Sequence, residues 1–298
     1  MVALTRPEGP QPEDFRPSRR GALGGLFFAG YAAAAVSVEA APIVTDEAGL
    51  ITAETTVPQQ DVPLPIYLAR PARAGRAPVV IVASEVFGVH AYIKDVCRRL
   101  AKLGYVAVAP AFFHRAGDPA PLTDFGAIQK IVATASNEQV LGDIGATVAW
   151  LRRQPFADAR RMGITGFCWG GAVTWMAVHR FPEFRAGVAW YGRLTAPKPD
   201  QFLGGDVRPW PVDVAPELRA PVLGLYAGKD AGIPQVDVRL MRAALQASGK
   251  VGSNILVYTE AAHGFHADYR GAYDRAAAED GWSKMLAHFA ANGVAPRR

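Results

Sequence analysis

The sequence predicts an α/β fold: a mostly parallel β-sheet with helices on both faces and an antiparallel hairpin at its N-terminal edge. Two observations predict it. Strand-like apolar runs alternate along the chain with helix-period segments, and the connections between runs are long enough to cross over a parallel sheet. The run PVVIVA over residues 78–83 is also continuously apolar, which is typical of a strand buried on both faces.

Eight apolar or alternating runs are predicted strands. The first two indicate the antiparallel hairpin, and Pro63 and Pro65 favour the second of them as an edge strand. The predicted strands cover residues 51–57, 64–69, 78–83, 105–109, 162–165, 186–190, 221–227 and 255–258. Most of the later runs are separated by a segment with helical spacing, as the connections of a parallel sheet require.

Five segments with apolar residues at helical spacing are predicted helices. They cover residues 92–103, 137–153, 170–179, 234–247 and 275–291. The Pro-rich stretch 194–218 has no clear period, so we expect a long surface excursion, which in α/β enzymes often caps the site.

Composition and charge narrow the class of protein. The chain has 298 residues, half of them hydrophobic and a fifth charged, which excludes a disordered, collagen-like or coiled-coil protein. The net charge of +5 is spread out without a basic run, so we expect no nucleic-acid partner. The two cysteines, Cys97 and Cys168, exclude a disulfide scaffold and leave one optional bridge.

The first 40 residues have the layout of a signal peptide. Arg19 and Arg20 precede the uncharged stretch 21–38, and small residues follow it. The long region before the arginine pair favours the twin-arginine route, which exports folded proteins. We therefore expect a signal peptide over residues 1–40, one domain over residues 41–298, and a periplasmic or secreted protein without stable membrane insertion after cleavage. The alternative is anchoring by an uncleaved N-terminal segment.

The segment GFCWGG, residues 166–171, lies between a predicted strand and a predicted helix. A glycine-x-nucleophile-x-glycine turn at such a junction is typical of a nucleophile elbow, because the sharp reversal excludes a Cβ two residues from the nucleophile. The turn presents Cys168 at the carboxyl edge of the sheet, where the helix N-terminus favours a thiolate. The amide of Trp169 is then the first oxyanion donor. Cys97, inside a predicted helix, fits a buried structural cysteine.

A nucleophile of this kind needs a base and an acid that orients the base. In this arrangement the acid and then the histidine follow the nucleophile along the chain, each after a strand. Asp230 and His263 follow the last two predicted strands in that order. The alternatives are Asp206 or Asp213 as the acid and His266 as the base.

Four segments resemble one family, the dienelactone hydrolases, also called carboxymethylenebutenolidases. They are SEVFGV at 84–89, the elbow at 166–171, AWYGR at 189–193 and HGFHADYR at 263–270. The resemblance runs from about residue 51 to the C-terminus. It implies the α/β-hydrolase fold with a cysteine in place of the usual serine.

The resemblance implies a triad of Cys168, His263 and Asp230. It also implies that Glu85 contacts the resting thiol and accepts its proton when substrate enters. A carboxylate in a partly apolar cleft is expected to have a raised pKa, which suits that role. The same loop offers the amide of Val86 as the second oxyanion donor.

The family's usual substrate carries a carboxylate as well as a lactone, and relatives hold it with arginines. Arg115, in a segment that resembles the family's, is the candidate for one of them. The position of the second arginine is Ala267 here, a departure that leaves Arg270, three residues on, as its candidate replacement. The aromatic residues expected to line the apolar part of the pocket, with core packing as the alternative, are Phe87, Trp169, Tyr191 and Phe265.

The sequence therefore predicts a hydrolase that opens a lactone or cleaves an ester through a cysteine acyl-enzyme. Its expected partner is a small-molecule lactone or ester with possible anionic character, and no metal or other cofactor is implied. The alternatives are a carboxylesterase or thioesterase of broader specificity and a non-catalytic exported binding protein on the same fold.

Overall fold

The computed structural model describes most of the chain after the predicted signal peptide. The described residues are 42–73, 75–196, 209–249 and 252–296. The predicted signal peptide, residues 1–40, lies outside them, as does part of the Pro-rich stretch, including the alternative acid Asp206.

Eight strands form one sheet in the described residues, in the order β1-β2-β4-β3-β5-β6-β7-β8. β1 pairs antiparallel with β2 and β2 antiparallel with β4, and all other pairs are parallel. The strands are β1 Leu50–Val57, β2 Leu64–Pro71, β3 Ala77–Ala83, β4 Val106–Pro110, β5 Ala157–Phe167, β6 Phe184–Trp190, β7 Val222–Ala227 and β8 Asn254–Tyr258.

Seven α-helices accompany the sheet in the same residues. α1 packs on β2 and β4, α4 on β5 and β6, and α7 on β6 and β7. The helices are α1 Ala91–Lys102, α2 Phe125–Val132, α3 Asn137–Leu151, α4 Trp169–Arg180, α5 Pro211–Val214, α6 Gln235–Ala247 and α7 Arg275–Ala291. This architecture confirms the predicted α/β-hydrolase fold class.

Two helices were not predicted. α2 begins after Asp124, whose carboxylate accepts a hydrogen bond from Ala127 N at 2.7 Å, so its N-cap was the available signal. α5 is a single turn that begins at Pro211, inside the stretch expected to be irregular. Asp213, the alternative acid of that stretch, accepts a hydrogen bond from Trp210 N at 2.8 Å and so caps this turn.

β2 is an interior strand, which corrects the predicted edge position. It pairs with β1 on one side and with β4 on the other, so the edge strand is β1. Pro65 is tolerated because it is the second residue of β2 and precedes the ladder with β4, which begins at Ile66. Its carbonyl still accepts a hydrogen bond from Ala111 N at 2.9 Å.

The carboxyl ends of the parallel strands meet at one edge of the sheet. Loops that follow β3, β5, β6, β7 and β8 therefore converge there, and every predicted catalytic residue lies in one of them. β3, which leads to this edge, is buried along almost its whole length, so the loop after it starts from the core. None of the described helices is both long enough and apolar enough to cross a membrane.

Candidate active site

Cys168 lies in a sharp turn between β5 and α4. Its backbone has a φ of 55° and a ψ of −116°, which is unusual for a residue with a side chain. A Cβ on Gly166 would lie 2.0 Å from the carbonyl oxygen of Gly170, and a Cβ on Gly170 would lie 2.2 Å from that of Ala83. The two glycines therefore permit the turn and the close approach of α4 to β3, as the elbow motif predicts.

Two backbone amides lie at this turn. Trp169 is the first residue of α4, so its N–H is beyond the reach of the helix's own hydrogen bonds. Val86 belongs to the loop after β3, and that loop adjoins the start of α4 because Gly170 packs against Ala83 and Ser84. Neither amide donates a backbone hydrogen bond in the described part of the chain. They are the amides from which an oxyanion hole would be built.

His263 and Asp230 form a buried pair next to Cys168. The Nδ1 atom of His263 lies 2.6 Å from Oδ2 of Asp230, and both side chains are almost fully buried. The other carboxylate oxygen accepts hydrogen bonds from Gly232 N at 2.8 Å and Ile233 N at 3.1 Å. These bonds fix the carboxylate in the loop after β7, so that it orients the imidazole.

The charge of His263 depends on its neighbours. Burial lowers its pKa, but the charge of Asp230, that of the Cys168 sulfur and hydrogen bonds to both groups outweigh burial and raise the pKa to about 10. The protonated imidazole is therefore the stable form at neutral pH, and it faces the cysteine that would carry the negative charge.

His266, the alternative base, is a core residue. Its Nδ1 lies 2.6 Å from the hydroxyl of Tyr92, and its ring stacks on Trp282 at 5.6 Å and lies 4.6 Å from the ring of Trp190. Burial, and then the charge of Arg99, hold its pKa well below the ordinary value for histidine. The geometry thus places His263, and not His266, beside both Asp230 and Cys168.

Tyr191, predicted to line the apolar part of the pocket, also places a polar hydroxyl in the site. Its φ of 37° is positive and its side chain is fully buried, with the ring edge-on to His263 at a centroid distance of 5.1 Å. Its hydroxyl is buried and has no hydrogen-bond partner among the described residues. The charges of Glu85, Arg270 and Cys168 all act on that hydroxyl. The hydroxyl of Tyr191 is therefore a buried hydrogen-bond donor at the edge of the sheet that carries Cys168.

Glu85 is fully buried and bound from three sides. The hydroxyl of Tyr269 donates to its Oε2 at 2.7 Å, Nε2 of His90 lies 3.4 Å from the same oxygen, and Nη2 of Arg270 lies 3.6 Å from Oε1. Burial raises the pKa of Glu85, but these three groups together outweigh it and lower the pKa to about 2. The expected raised pKa is therefore wrong, because the surroundings are cationic and hydrogen-bonding instead of apolar.

Arg270 is the cation of this cluster. Only 6% of it is exposed, its guanidinium lies over the ring of Phe87 at 4.7 Å, and its Nε donates to the Tyr269 hydroxyl at 3.0 Å. Neither terminal nitrogen has a hydrogen-bond partner within the described ranges. The charge of Cys168 acts on the guanidinium, which therefore lies near the cysteine, with Nη2 also paired with Oε1 of Glu85 at 3.6 Å.

Arg115 does not have the role predicted for it. Its Nε lies 2.6 Å from Oδ2 of Asp61, and its terminal nitrogens donate to both carboxylate oxygens of Asp143 at 3.0 Å and to Gln59 at 2.5 Å. Asp61 and Gln59 belong to the β1–β2 connection, and Asp143 lies on α3. Since two carboxylates already saturate the guanidinium, Arg115 ties that connection to α3 and is not available to a substrate.

The predicted aromatic lining divides into two groups. Phe87 stacks on Arg270, and Trp169 packs on Phe113 at 4.9 Å, so both adjoin the site. Phe265 is fully buried between Trp190 and Tyr258 and so belongs to the core. This position agrees with the core-packing alternative, and it is decided by packing that the sequence does not show.

Two residues of the site were not singled out from the sequence. Tyr269 lies within the motif at 263–270, and its hydroxyl links Glu85 to Arg270. His90 is fully buried at the N-terminus of α1, with its ring 5.1 Å from that of Tyr269. A lone histidine seven residues after a strand carries no signal of its own, so only the structure reveals it.

The remaining cysteine has the structural role expected of it. Cys97 is buried in α1, and burial raises the pKa of its thiol far above the usual range. Both Cys97 and Cys168 are free thiols, so the optional bridge does not form. The described residues hold no group of three or more side chains arranged to bind a metal ion.

Comparison with known proteins gives a consistent result. The sequence profile of the dienelactone hydrolase family matches residues 64–293. A protein of Methylorubrum extorquens named "Putative carboxymethylenebutenolidase" is 45% identical over 280 residues, which is 93% of this chain and 94% of that protein. One with the same name from Escherichia coli K12 is 44% identical over 262 residues, 87% of this chain and 94% of its own.

A solved structure agrees with these relatives. The crystal structure of a protein from Klebsiella pneumoniae, titled "Putative Dienelactone Hydrolase", has a TM-score of 0.75 and 46% sequence identity to this chain. The match covers 81% of this chain and 98% of that one. With the profile match and relatives well above 30% identity, the chain belongs to the dienelactone hydrolase family.

Proposed function

We propose that the protein opens a lactone or cleaves an ester through a thioester formed on Cys168. The observation that carries the proposal is the line from Asp230 through His263 to Cys168, with 2.6 Å between the carboxylate and the imidazole and a cysteine held in an elbow between β5 and α4. Membership of a hydrolase family supports the class of reaction.

Acylation begins with the cysteine as a thiolate beside the imidazolium of His263. The sulfur attacks the carbonyl carbon, and the amides of Trp169 and Val86 donate to the oxyanion that forms. His263 gives its proton to the leaving alkoxide as the carbon–oxygen bond breaks. With a lactone, the alcohol released stays attached to the acyl group.

Deacylation needs His263 in its neutral form. Once the sulfur is acylated its negative charge is gone, and with it one of the causes that raise the pKa of His263. The imidazole then takes a proton from water, which attacks the thioester carbonyl, and Cys168 leaves as a thiolate. Asp230 stabilises the imidazolium in both steps.

The cluster around Glu85 supports an anionic substrate. Arg270 presents terminal N–H groups that lack hydrogen-bond partners in the described part of the chain, and Glu85 holds the guanidinium in position from 3.6 Å. A substrate carboxylate would bind there, while its carbonyl lies on the sulfur. Glu85 stays ionised in this scheme, which gives it a positioning role and leaves thiol deprotonation to His263.

The test of the mechanism is turnover of p-nitrophenyl acetate by the full chain. Cys168→Ala is expected to reduce kcat/KM by about 10³-fold or more, because the nucleophile is gone. Cys97→Ala is the matched control, since it removes the other buried thiol, and its kcat/KM should remain within about a factor of three. Intact mass spectrometry after acid quenching should detect an acyl group on the wild type and on Cys97→Ala, but not on Cys168→Ala.

The two rival functions predict other outcomes of this experiment. A binding protein that has lost catalysis would show no turnover in any variant, and would contradict the proposal. A hydrolase of broader specificity would turn over 4-carboxymethylenebut-2-en-4-olide and an uncharged lactone equally well. In that case the anionic part of the proposal fails, but the cysteine mechanism stands.

The proposed cellular site is the periplasm or the exterior, as the signal-like residues 1–40 indicate. Fractionation of cells that express the full chain, followed by mass spectrometry of its N-terminus, tests this. A mature form that begins near residue 41 is expected. A protein that retains residues 1–20 would contradict cleavage.

A further inference from the structure

A pocket of about 270 Å³ lies at the edge of the sheet opposite the catalytic cysteine. It gathers the last residues of β2, the first residues of β3 and β4, and Phe156 just before β5. β3 runs from this pocket to the loop that carries Glu85, a length of about 25 Å. The pocket is therefore separate from the candidate active site.

The described residues that line the pocket carry a net positive charge. Three of its lining residues are arginines, and no acidic residue lies among the described residues that line it. Asp158, which pairs with Pro78 across the neighbouring strands, is bound to its own arginines, with Arg161 at 2.8 Å and Arg160 at 3.7 Å. The lining arginines are Arg70, Arg73 and Arg76.

One of the three arginines, Arg70, is held in place by packing, while Arg73 and Arg76 are exposed. The guanidinium of Arg70 lies 4.7 Å from the centre of the Phe156 ring, and its Nε is buried without a hydrogen-bond partner in the described residues. Arg73 lies over Gly104, where a Cβ would come within 3.1 Å of its Nη2. Donors that are already positioned lose less conformational entropy when a ligand binds.

We propose that this pocket binds a phosphate group, either free phosphate or the phosphate of a small monoester. Guanidinium groups bind the oxygens of phosphate with paired N–H donors, and several of them together favour an anion with more than one charge. The volume lies below the range of about 300–1,000 Å³ found for drug-sized ligands, so the occupant is small. This site is distinct from the proposed hydrolase site and does not depend on that proposal.

Isothermal titration calorimetry on the full chain, at fixed ionic strength because salt screens such contacts, tests this site. The probes are inorganic phosphate and phenyl phosphate. Saturable binding is expected for the wild type, with a loss of affinity of at least about tenfold in the double variant Arg73→Gln/Arg76→Gln. The matched control Arg153→Gln/Arg185→Gln removes two other exposed positive charges and should bind as the wild type does.

The titrations with the two probes and the variants separate a specific phosphate site from an effect of overall charge. Binding of both probes supports the site with free phosphate as a sufficient ligand, and binding of phenyl phosphate alone supports it with a monoester as the ligand. Equal loss in the double variant and the control would reduce the effect to overall charge and overturn the proposal. Absence of saturation with either probe would also overturn it, as would a loss of binding caused by Arg270→Gln, which would move the anion to the catalytic edge.

Discussion

His263 and His266 lie three residues apart in one loop, and both are almost completely buried, yet they differ in chemistry. His263 faces the carboxylate of Asp230 at 2.6 Å, while His266 faces the phenol of Tyr92 and a set of aromatic rings. Burial lowers the pKa of both imidazoles, and only His263 has neighbours that reverse the shift. The difference teaches that the charged partner, and not burial, decides in which direction the pKa of a buried histidine moves.

The largest expected effect comes from replacing each histidine in turn. His263→Ala should lower kcat/KM for p-nitrophenyl acetate by about 10³-fold or more, since no other described group is placed to move the proton. His266→Phe keeps an aromatic ring but leaves the Tyr92 hydroxyl without its partner, which should cost about 1–3 kcal/mol of unfolding free energy. Steady-state kinetics and urea unfolding of both variants measure the two effects.

An equal loss of activity in the two histidine variants would contradict the different roles given to His263 and His266. His266→Phe should retain kcat/KM within about tenfold, because a structural histidine acts only through packing. His266→Gln, which can still hydrogen-bond Tyr92, then separates the loss of that bond from the loss of the ring.

The second prediction concerns the carboxylate itself. Asp230→Asn removes the main cause that raises the pKa of His263, so the pKa should fall and kcat/KM should drop by about 10²–10⁴-fold. Because the imidazolium is then lost at lower pH, the alkaline limb of the pH profile should move to lower pH. NMR titration of the imidazole signals checks the pKa directly, and an unmoved His263 signal would contradict the argument.

The third prediction compares the two arginines proposed from the sequence. Arg270→Gln should raise KM for 4-carboxymethylenebut-2-en-4-olide by about tenfold and leave KM for an uncharged lactone nearly unchanged, because only the carboxylate is lost as a ligand. Arg115→Gln is the matched control: it releases Asp61 and Asp143 and should lower Tm without changing KM. A shift of KM in Arg115→Gln alone would return the anion site to that residue.

The smallest expected effect is on stability as a function of pH. His263 has a raised pKa in the folded protein, so its contribution to stability is present below about pH 6.5 and is lost as the pH rises through about 10. His266 has a lowered pKa, so its contribution is present above about pH 6.5 and is lost as the pH falls. Urea unfolding from pH 5 to 10 should therefore show that His266→Phe removes part of the loss on the acid side.

Much of the chemistry was predictable from local sequence. The elbow glycines follow from a short-range clash, since a Cβ on Gly166 would lie 2.0 Å from the oxygen of Gly170, and such constraints are written in adjacent residues. Strands and helices alternate along the chain, so the loops that follow the parallel strands lie at one edge of the sheet. This brings Asp230 and His263 to the same edge as the candidate nucleophile. Seven strands and five helices lie within about two residues of their predicted bounds, while β5 begins at Ala157, five residues before the predicted start.

The sequence by itself determined the fold class, the elbow and the candidate residues Cys168, Asp230 and His263, because periodicity and steric limits act within a few residues. Tertiary structure alone decided that Arg115 is bound to two carboxylates, that the terminal nitrogens of Arg270 have no hydrogen-bond partner among the described residues, and that Glu85 has a pKa of about 2 instead of a raised one. It also made β2 an interior strand and Phe265 a core residue. The charged and packing partners of a side chain come from distant parts of the sequence. Asp143 lies 28 residues from Arg115, and Arg270 lies far beyond Glu85. No local pattern predicts either contact.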